Sequence, residues 1–205
     1  MSRQKQGVRL NATDFYPTPP WCYENLDIDW TQFTSAHEPC RGDSRIYTFL
    51  QEKGIDTTWS EITEGKDFFE HKDKVDLIFT NPPFKIAQEF IGHAFSLAPT
   101  VVMLLRINFL GSIKRQAWWK ANPPTAMYVL SKRPSFTGDG TDATEYCWVC
   151  WDSTNRIPSG FHWVDNPTTA QNTHAQTLAR EALARFNEKR EELIALGILE
   201  DKKKT

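Results

Sequence analysis

Asn81-Pro82-Pro83-Phe84 brings an amide, two rigid carbonyls and an aromatic ring into one short turn. The chemistry such a turn suits is methylation of an exocyclic amine on a flat heterocycle. The amino nitrogen of adenine or cytosine is a poor nucleophile, because its lone pair is delocalised into the ring. Two acceptors set on its two hydrogens would draw it toward tetrahedral geometry. The side-chain oxygen of Asn81 and the carbonyl of Pro82 are candidates for that pair, with Phe84 stacked on the ring. A neutral amide is enough when the electrophile is a sulfonium methyl. A strand that merely ends in a Pro-Pro turn accounts for the four residues as well, so context has to decide.

The context begins with Val75-Asp76-Leu77-Ile78-Phe79-Thr80, a short, mostly apolar run that reads as a buried strand. Two prolines cannot extend its ladder, so the chain leaves the sheet at the strand's carboxyl end, where open α/β sheets bind ligands. Upstream, Ser35-Ala36-His37 leads into Glu38-Pro39-Cys40-Arg41-Gly42-Asp43-Ser44. A helical pattern follows (Ile46, Phe49, Leu50), closed by Gly54. Strand, glycine turn and helix form the layout of a nucleotide-type site at a helix N-terminus. A second strand over Asp56 to Ile62 ends at Glu61, nineteen residues after Gly42 and near the offset at which an acid meets ribose hydroxyls.

Further on, Ile86, Phe90, Ala94 and Leu97 mark an amphipathic helix. Val101 to Ile107 is an apolar strand interrupted only by Arg106. Ile113, Ala117 and Trp118 lie on a short helix that stops at Asn122-Pro123-Pro124. Ala126 to Leu130 and Glu145 to Trp151 are strands flanking a glycine-containing loop, and 158–169 reads as an irregular connection. Trp21 to Leu26 starts as a helix behind a proline, and Thr173 to Leu196 is a long helix with Leu178, Leu183, Phe186 and Leu193 on or near one face. The expected fold is α/β, a Rossmann-like, mostly parallel sheet with an antiparallel edge hairpin. The expected organisation is a flexible arm (1–13), a catalytic domain (14–165) and a C-terminal helical extension (170–200), which serves packing or a partner contact. Lys202-Lys203-Lys204 reads as a solvated tail.

At 205 residues, with 40% apolar residues, 13% aromatics and eight Trp, the composition is globular rather than disordered. No apolar run approaches a membrane span, and Met1 to Leu10 lacks a signal-peptide core, so a cytoplasmic location with no membrane partner is expected (the host cytoplasm for a phage-encoded chain). Cys147 and Cys150 imitate a metal or redox pair, but three residues apart on a strand they face opposite ways. All four cysteines are therefore expected to be free thiols, and no metal is expected. The net charge of −2 argues against a uniformly basic surface. Its distribution differs: Phe90 to Gly138 carries no acid, yet holds Arg106, Lys114, Arg115, Lys120, Lys132 and Arg133, a one-sided field suited to a polyanion.

Taken together, these motifs resemble the S-adenosylmethionine-dependent DNA N6-adenine methyltransferases, in particular the small phage-type ones. The resemblance covers about Asp14 to Trp151. Asp14-Phe15-Tyr16-Pro17-Thr18-Pro19 is similar to the N-terminal cofactor motif, implying Tyr16, Thr18 and Pro19 at the methionine end. Glu38 to Ser44 is similar to the glycine loop, implying that Glu38 and Pro39 face the cofactor, the acid toward its ammonium, while Gly42 admits close approach. Glu61 and Ile62 resemble the strand end that holds the ribose, and Asp67 and Phe68 the element flanking the cofactor adenine. Asn81-Pro82-Pro83-Phe84 matches the catalytic motif of amino-group methylases. Arg133-Pro134-Ser135-Phe136 and Tyr146-Cys147-Trp148 resemble the hairpin beside the target-base pocket.

Two departures stand out. Ser44 replaces the usual second glycine of the loop, and a separate target-recognition domain is not expected in 205 residues. Base readout would then fall to loops 114–124 and 137–144 and the N-terminal arm. The candidate nucleic-acid contacts are Lys114, Arg115, Trp119, Lys120, Arg133 and Phe136, with Trp118 expected to pack inward. The expected partner is DNA, with RNA as the nearest rival, and the oligomeric state is open. A protein glutamine methyltransferase uses a similar turn but has less need of a basic stretch, and the remaining rival is a binding module without turnover.

Overall fold

A computed structural model of the chain describes residues 16–196. The expected arm (1–13), Asp14 and Phe15 of the cofactor motif, the end of the helical extension (197–200) and the lysine tail lie outside the described residues.

Seven strands form one sheet: β1 Ser35–Glu38, β2 Asp56–Trp59, β3 Leu77–Thr80, β4 Thr100–Arg106, β5 Ala126–Leu130, β6 Tyr146–Asp152 and β7 Gly160–Val164. Their order is β2-β1-β3-β4-β6-β5-β7. β2, β1, β3 and β4 run parallel, and β6 inserts antiparallel between β4 and β5. This is the Rossmann-like arrangement the alternating pattern predicted. The difference lies at the far edge. Residues 158–169, expected to be irregular, contain β7, which pairs parallel with β5. Its Phe161 and Trp163 are both 69% exposed and share one face, a period-two alternation that the proline-flanked segment does carry in its sequence.

Helices cover both faces, as parallel strands require. On one side, α1 (Trp21–Glu24) and α2 (Arg45–Glu52) bury Trp21, Ile46, Phe49 and Leu50 against Leu77, Phe79, Val102, Leu104 and Trp148. On the other, α3 (Ala87–Phe95) buries Phe90, Ile91 and Ala94 against Ile78, Val101, Met103 and Leu105. Alternate residues of β3 and β4 thus serve opposite cores, the period-two rule applied to a doubly covered sheet. Cys147 and Cys150 obey it too, one in each core, and all four cysteines are free.

The connection β1–α2–β2 steps one way along the sheet and β3–α3–β4 steps the other, so a crevice opens between the carboxyl ends of β1 and β3. α1 and the turn after it are fastened to the sheet: Trp148 Nε1 donates to the Cys22 carbonyl at 2.7 Å and the Tyr128 hydroxyl to the Asp27 carbonyl at 3.0 Å.

α4 (Gln116–Ala121) is the predicted short helix, yet Ile113 before it is 97% exposed and Ala117 is exposed as well. α5 (Thr169–Ala195) begins at a capping box, Thr168 with Gln171. Its buried stripe is Ala175, Ala179 and Ala182 rather than the predicted leucines, which are half-buried. Small residues let the helix lie close. Arg45 donates to the Leu178 carbonyl, and Arg180 Nη2 donates to the Gly138 carbonyl at 2.9 Å. A Cβ on Gly138 would come within 2.6 Å of the Gln176 carbonyl, so this approach requires glycine.

Candidate active site

The crevice holds a cavity bordered by Tyr16, Thr18, Glu38, Pro39, Gly42, Glu61, Ile62, Asp67 and Phe68 together with Asn81, Pro82 and Pro83. Segments far apart in sequence, from Tyr16 to Pro83, therefore meet at one place. Pro19 does not reach it: its carbonyl accepts from Cys22 N at 2.9 Å and opens α1. Phe84 is also absent from the lining, turned instead against Tyr16 and Tyr146.

Asn81 is held by its nitrogen. Nδ2 donates to the Tyr16 carbonyl at 3.0 Å and to Thr18 Oγ1 at 3.1 Å. Its other end, Oδ1, is buried and has no protein partner. A buried acceptor left open in this way is a standing cost of about 1–3 kcal/mol, which a ligand donor would recover.

The glycine loop is shaped by two left-handed residues, Gly42 at φ 52° and Ser44 at φ 70°. Ser44 therefore stands where glycine is favoured, and it keeps the turn at the expense of strain rather than shifting it. Gly42 N donates to Glu61 Oε2 at 2.9 Å, while Glu61 Oε1 accepts from Thr63 N at 3.0 Å and from its hydroxyl at 2.7 Å. Glu61 thus ties the glycine loop to the turn that follows β2. β2 itself stops at Trp59, short of Ile62. Asp67 caps its own turn, accepting from Phe69 N at 2.9 Å.

Glu38 closes the floor. It is 2% exposed, and its Oε2 has no partner. Burial pushes its carboxyl well above the usual range, with nearby Asp43 adding to the effect and the Tyr47 N–H opposing it. A buried carboxyl with a free oxygen is a fitting seat for a cationic group, which would restore its charge. Behind Phe68, the imidazole of His37 stacks on it at 5.8 Å and on His71 at 3.7 Å, with hydroxyls of Thr58 and Ser60 on its two nitrogens.

The predicted nucleic-acid contacts divide. Lys114, Lys120 and Arg133 are exposed. Arg115 is half-buried, its guanidinium 4.1 Å from the Phe109 ring and donating to the Phe109 carbonyl. Trp119 is half-buried: it stacks on Trp151 at 5.9 Å and donates to the Phe109 carbonyl, beside a half-buried Trp118. Phe136, 3% exposed, packs edge-on to Tyr16 and Tyr146, so its contribution is internal.

Sequence reasoning missed two neighbours of the site. Phe186 of α5 borders the cavity, and its place in a helical stripe gave no hint of that. Arg106 lies over Phe84, and its signal was available as the one charge in an apolar strand.

No protein-family model and no curated protein matches the sequence. Solved structures share its layout at low identity. A Pyrococcus horikoshii protein described as a candidate RNA methyltransferase aligns at 12% identity and TM-score 0.47, over 70% of this chain and 92% of that one. A Listeria monocytogenes protein described as a candidate class I S-adenosylmethionine-dependent methyltransferase aligns at 12% and 0.46, over 73% and 64%. A modification subunit of a candidate type I restriction enzyme from Vibrio vulnificus YJ016 aligns at 12% and 0.48, over 83% of this chain and 52% of that one. This chain thus spans about half of that subunit. Likeness at this level concerns the sheet and says nothing of substrate. Among the described residues no helix is long and apolar enough to cross a membrane, and no group of His, Cys, Asp and Glu is set to hold a metal ion.

Proposed function

We propose that this chain is an S-adenosylmethionine-dependent methyltransferase acting on the N6 amine of adenine in DNA. The observation that carries the reading is the Asn81 amide: its nitrogen is bound by the chain above, and its buried oxygen is open beside a cavity that Glu38 and the Gly42 loop also border.

The residues present fit the cofactor. Glu38 offers a free carboxylate oxygen to an ammonium, Gly42 allows close backbone approach, and Glu61, Ile62, Asp67 and Phe68 border the same space. S-adenosylmethionine supplies a sulfonium methyl, an electrophile that needs no catalytic acid. The chain's own part is to hold and polarise the amine. Asn81 Oδ1 accepts one amino hydrogen and the Pro82 carbonyl the other, which shifts electron density onto nitrogen. Asn81 cannot turn away while Tyr16 and Thr18 hold Nδ2. The prolines fix the turn, so little reorganisation is left for the reacting complex. The adenine has to leave its stack, because the amine is out of reach inside a duplex. Exposed Lys114, Lys120 and Arg133 belong to the acid-free stretch and would meet phosphates.

Exposure of DNA and RNA oligomers to the protein and labelled S-adenosylmethionine, followed by digestion and nucleoside mass spectrometry, tests the reading. N6-methyldeoxyadenosine is expected. Label only in RNA adenine, or only at cytosine N4, would replace the substrate and keep the chemistry; no label in any nucleoside would remove both.

A further inference from the structure

Asn81 borders the cavity, yet its side toward Phe84 is filled by packed rings in the free protein. Asn81 Oδ1 is buried, and Phe84 is packed away from the cavity, so an incoming base needs something to move. Four rings close a circuit there: Tyr16 to Phe84 at 5.3 Å, Phe84 to Tyr146 at 5.6 Å, Tyr146 to Phe136 at 5.2 Å and Phe136 to Tyr16 at 5.3 Å. Over Phe84, 4.5 Å from its centroid, lies the guanidinium of Arg106, from the carboxyl end of β4.

The Arg106 guanidinium also meets the Tyr16 and Tyr146 rings at 5.9 and 6.0 Å, the outer edge of a cation–π contact, and its two polar partners hold it loosely. Its Nε donates to the Tyr146 hydroxyl at 3.1 Å, across the β4–β6 register that pairs the two residues. Its Nη2 stands 3.8 Å from Asp142 Oδ2, too long for a good hydrogen bond, and that oxygen already accepts from the Tyr146 hydroxyl at 2.8 Å. The side chain is 33% exposed and its stem is long. A flat cation resting on an aromatic face through one neutral hydrogen bond and a loose ion pair is a replaceable occupant.

We propose that Arg106 stands in for the target base: it covers Phe84 in the free protein, yields the ring to the extruded adenine and carries its charge to a phosphate beside that nucleotide. The inference rests on the nucleic-acid reading above. A phosphate offers the guanidinium a bidentate, charge-assisted partner, better than the one it leaves. A free nucleoside offers none, so displacing Arg106 is then uncompensated. Arg106 acts as a positioning residue that makes the base slot open to nucleotides held in a chain and reluctant toward free bases.

The test is a pair of affinities measured with S-adenosylhomocysteine present: 2′-deoxyadenosine by NMR titration, and a single-stranded DNA oligomer containing one adenine by fluorescence anisotropy. In Arg106→Ala the two should move in opposite directions. The nucleoside should bind several-fold more tightly and the oligomer several-fold more weakly, with the salt slope smaller by about one ion. Arg106→Lys, which keeps the charge but cannot stack flat, should tighten the nucleoside and leave the oligomer within about threefold. It carries the test alone if the alanine variant does not fold. Parallel weakening of both ligands, or an unchanged nucleoside affinity, overturns the proposal. A wild-type protein that methylates DNA while its variants weaken both ligands alike overturns only the gate. One that binds neither ligand and methylates nothing overturns the nucleic-acid reading with it.

Discussion

Asn81 Nδ2 lies 3.0 Å from the carbonyl oxygen of Tyr16. A carbonyl only accepts, so the contact determines which end of the amide faces the chain and which end is left for a ligand. Asn81→Ala removes the open acceptor and should lower kcat by about 100–1000-fold. Cofactor affinity by calorimetry should change by less than about threefold. Thr18→Val removes the second acceptor and should lower kcat less, leaving Tyr16 as the anchor. Substantial turnover in Asn81→Ala would take the amide out of the chemistry.

Glu61 ties Gly42 and Thr63 together through separate carboxylate oxygens. Glu61→Ala frees the loop as well as any ribose contact. It should raise the cofactor dissociation constant at least tenfold and lower Tm by about 3–12 °C, since three lost hydrogen bonds are worth about 1.5–3 kcal/mol together. Calorimetry and thermal melts report the two separately. Unchanged cofactor binding would leave Glu61 a purely structural tie.

Ser44, at φ 70° and ψ 10°, occupies backbone space that glycine takes at no steric cost. Ser44→Gly should raise stability, by about 0.5–1 kcal/mol once the extra freedom of glycine when unfolded is set against the relieved strain. A melt that shows a loss would mean the serine side chain contributes something its hydrogen bonds do not reveal.

Phe186 borders the cavity from α5, a helix the sequence marks as an appendage. Phe186→Ala should weaken cofactor binding by about 1–2 kcal/mol, roughly 5–30-fold, as read by calorimetry on the folded variant. Equal cofactor affinity in the variant would return α5 to a packing role.

His37 is buried without exposure, and its pKa is lowered to about 3, chiefly by desolvation and then by His71 and His93. A histidine whose folded pKa lies below its unfolded value of about 6.5 supports the fold above that pH. The support fades as pH falls from about 6.5 toward 3, at up to about 1.4 kcal/mol per unit. Glu38, whose pKa is raised, acts in the opposite direction, so comparison with His37→Gln isolates the histidine. The gap in Tm between the two proteins should narrow as buffers step from pH 7.5 to 4.5; a constant gap would mean His37 takes up its proton as readily in the folded protein as in the unfolded chain.

What the sequence determined by itself was local. Strand and helix order, the turn at Asn81 and the glycine loop follow from periodicity and from what proline and glycine do to the backbone, interactions that need no knowledge of distant residues. β7 shows a strand's alternation in Phe161 and Trp163 but is short and lies between Pro158 and Pro167, and Trp119 and Phe136 are more packed than expected because a ring reads the same whether it packs or protrudes. The tertiary structure alone decided which distant residues meet. β6 slides between β4 and β5 and so sets Tyr146 opposite Arg106; α5 folds back through an alanine stripe and brings Phe186 to the cavity. Such neighbours depend on strand order and on how closely layers approach, and packing fixes both only when the whole chain has condensed.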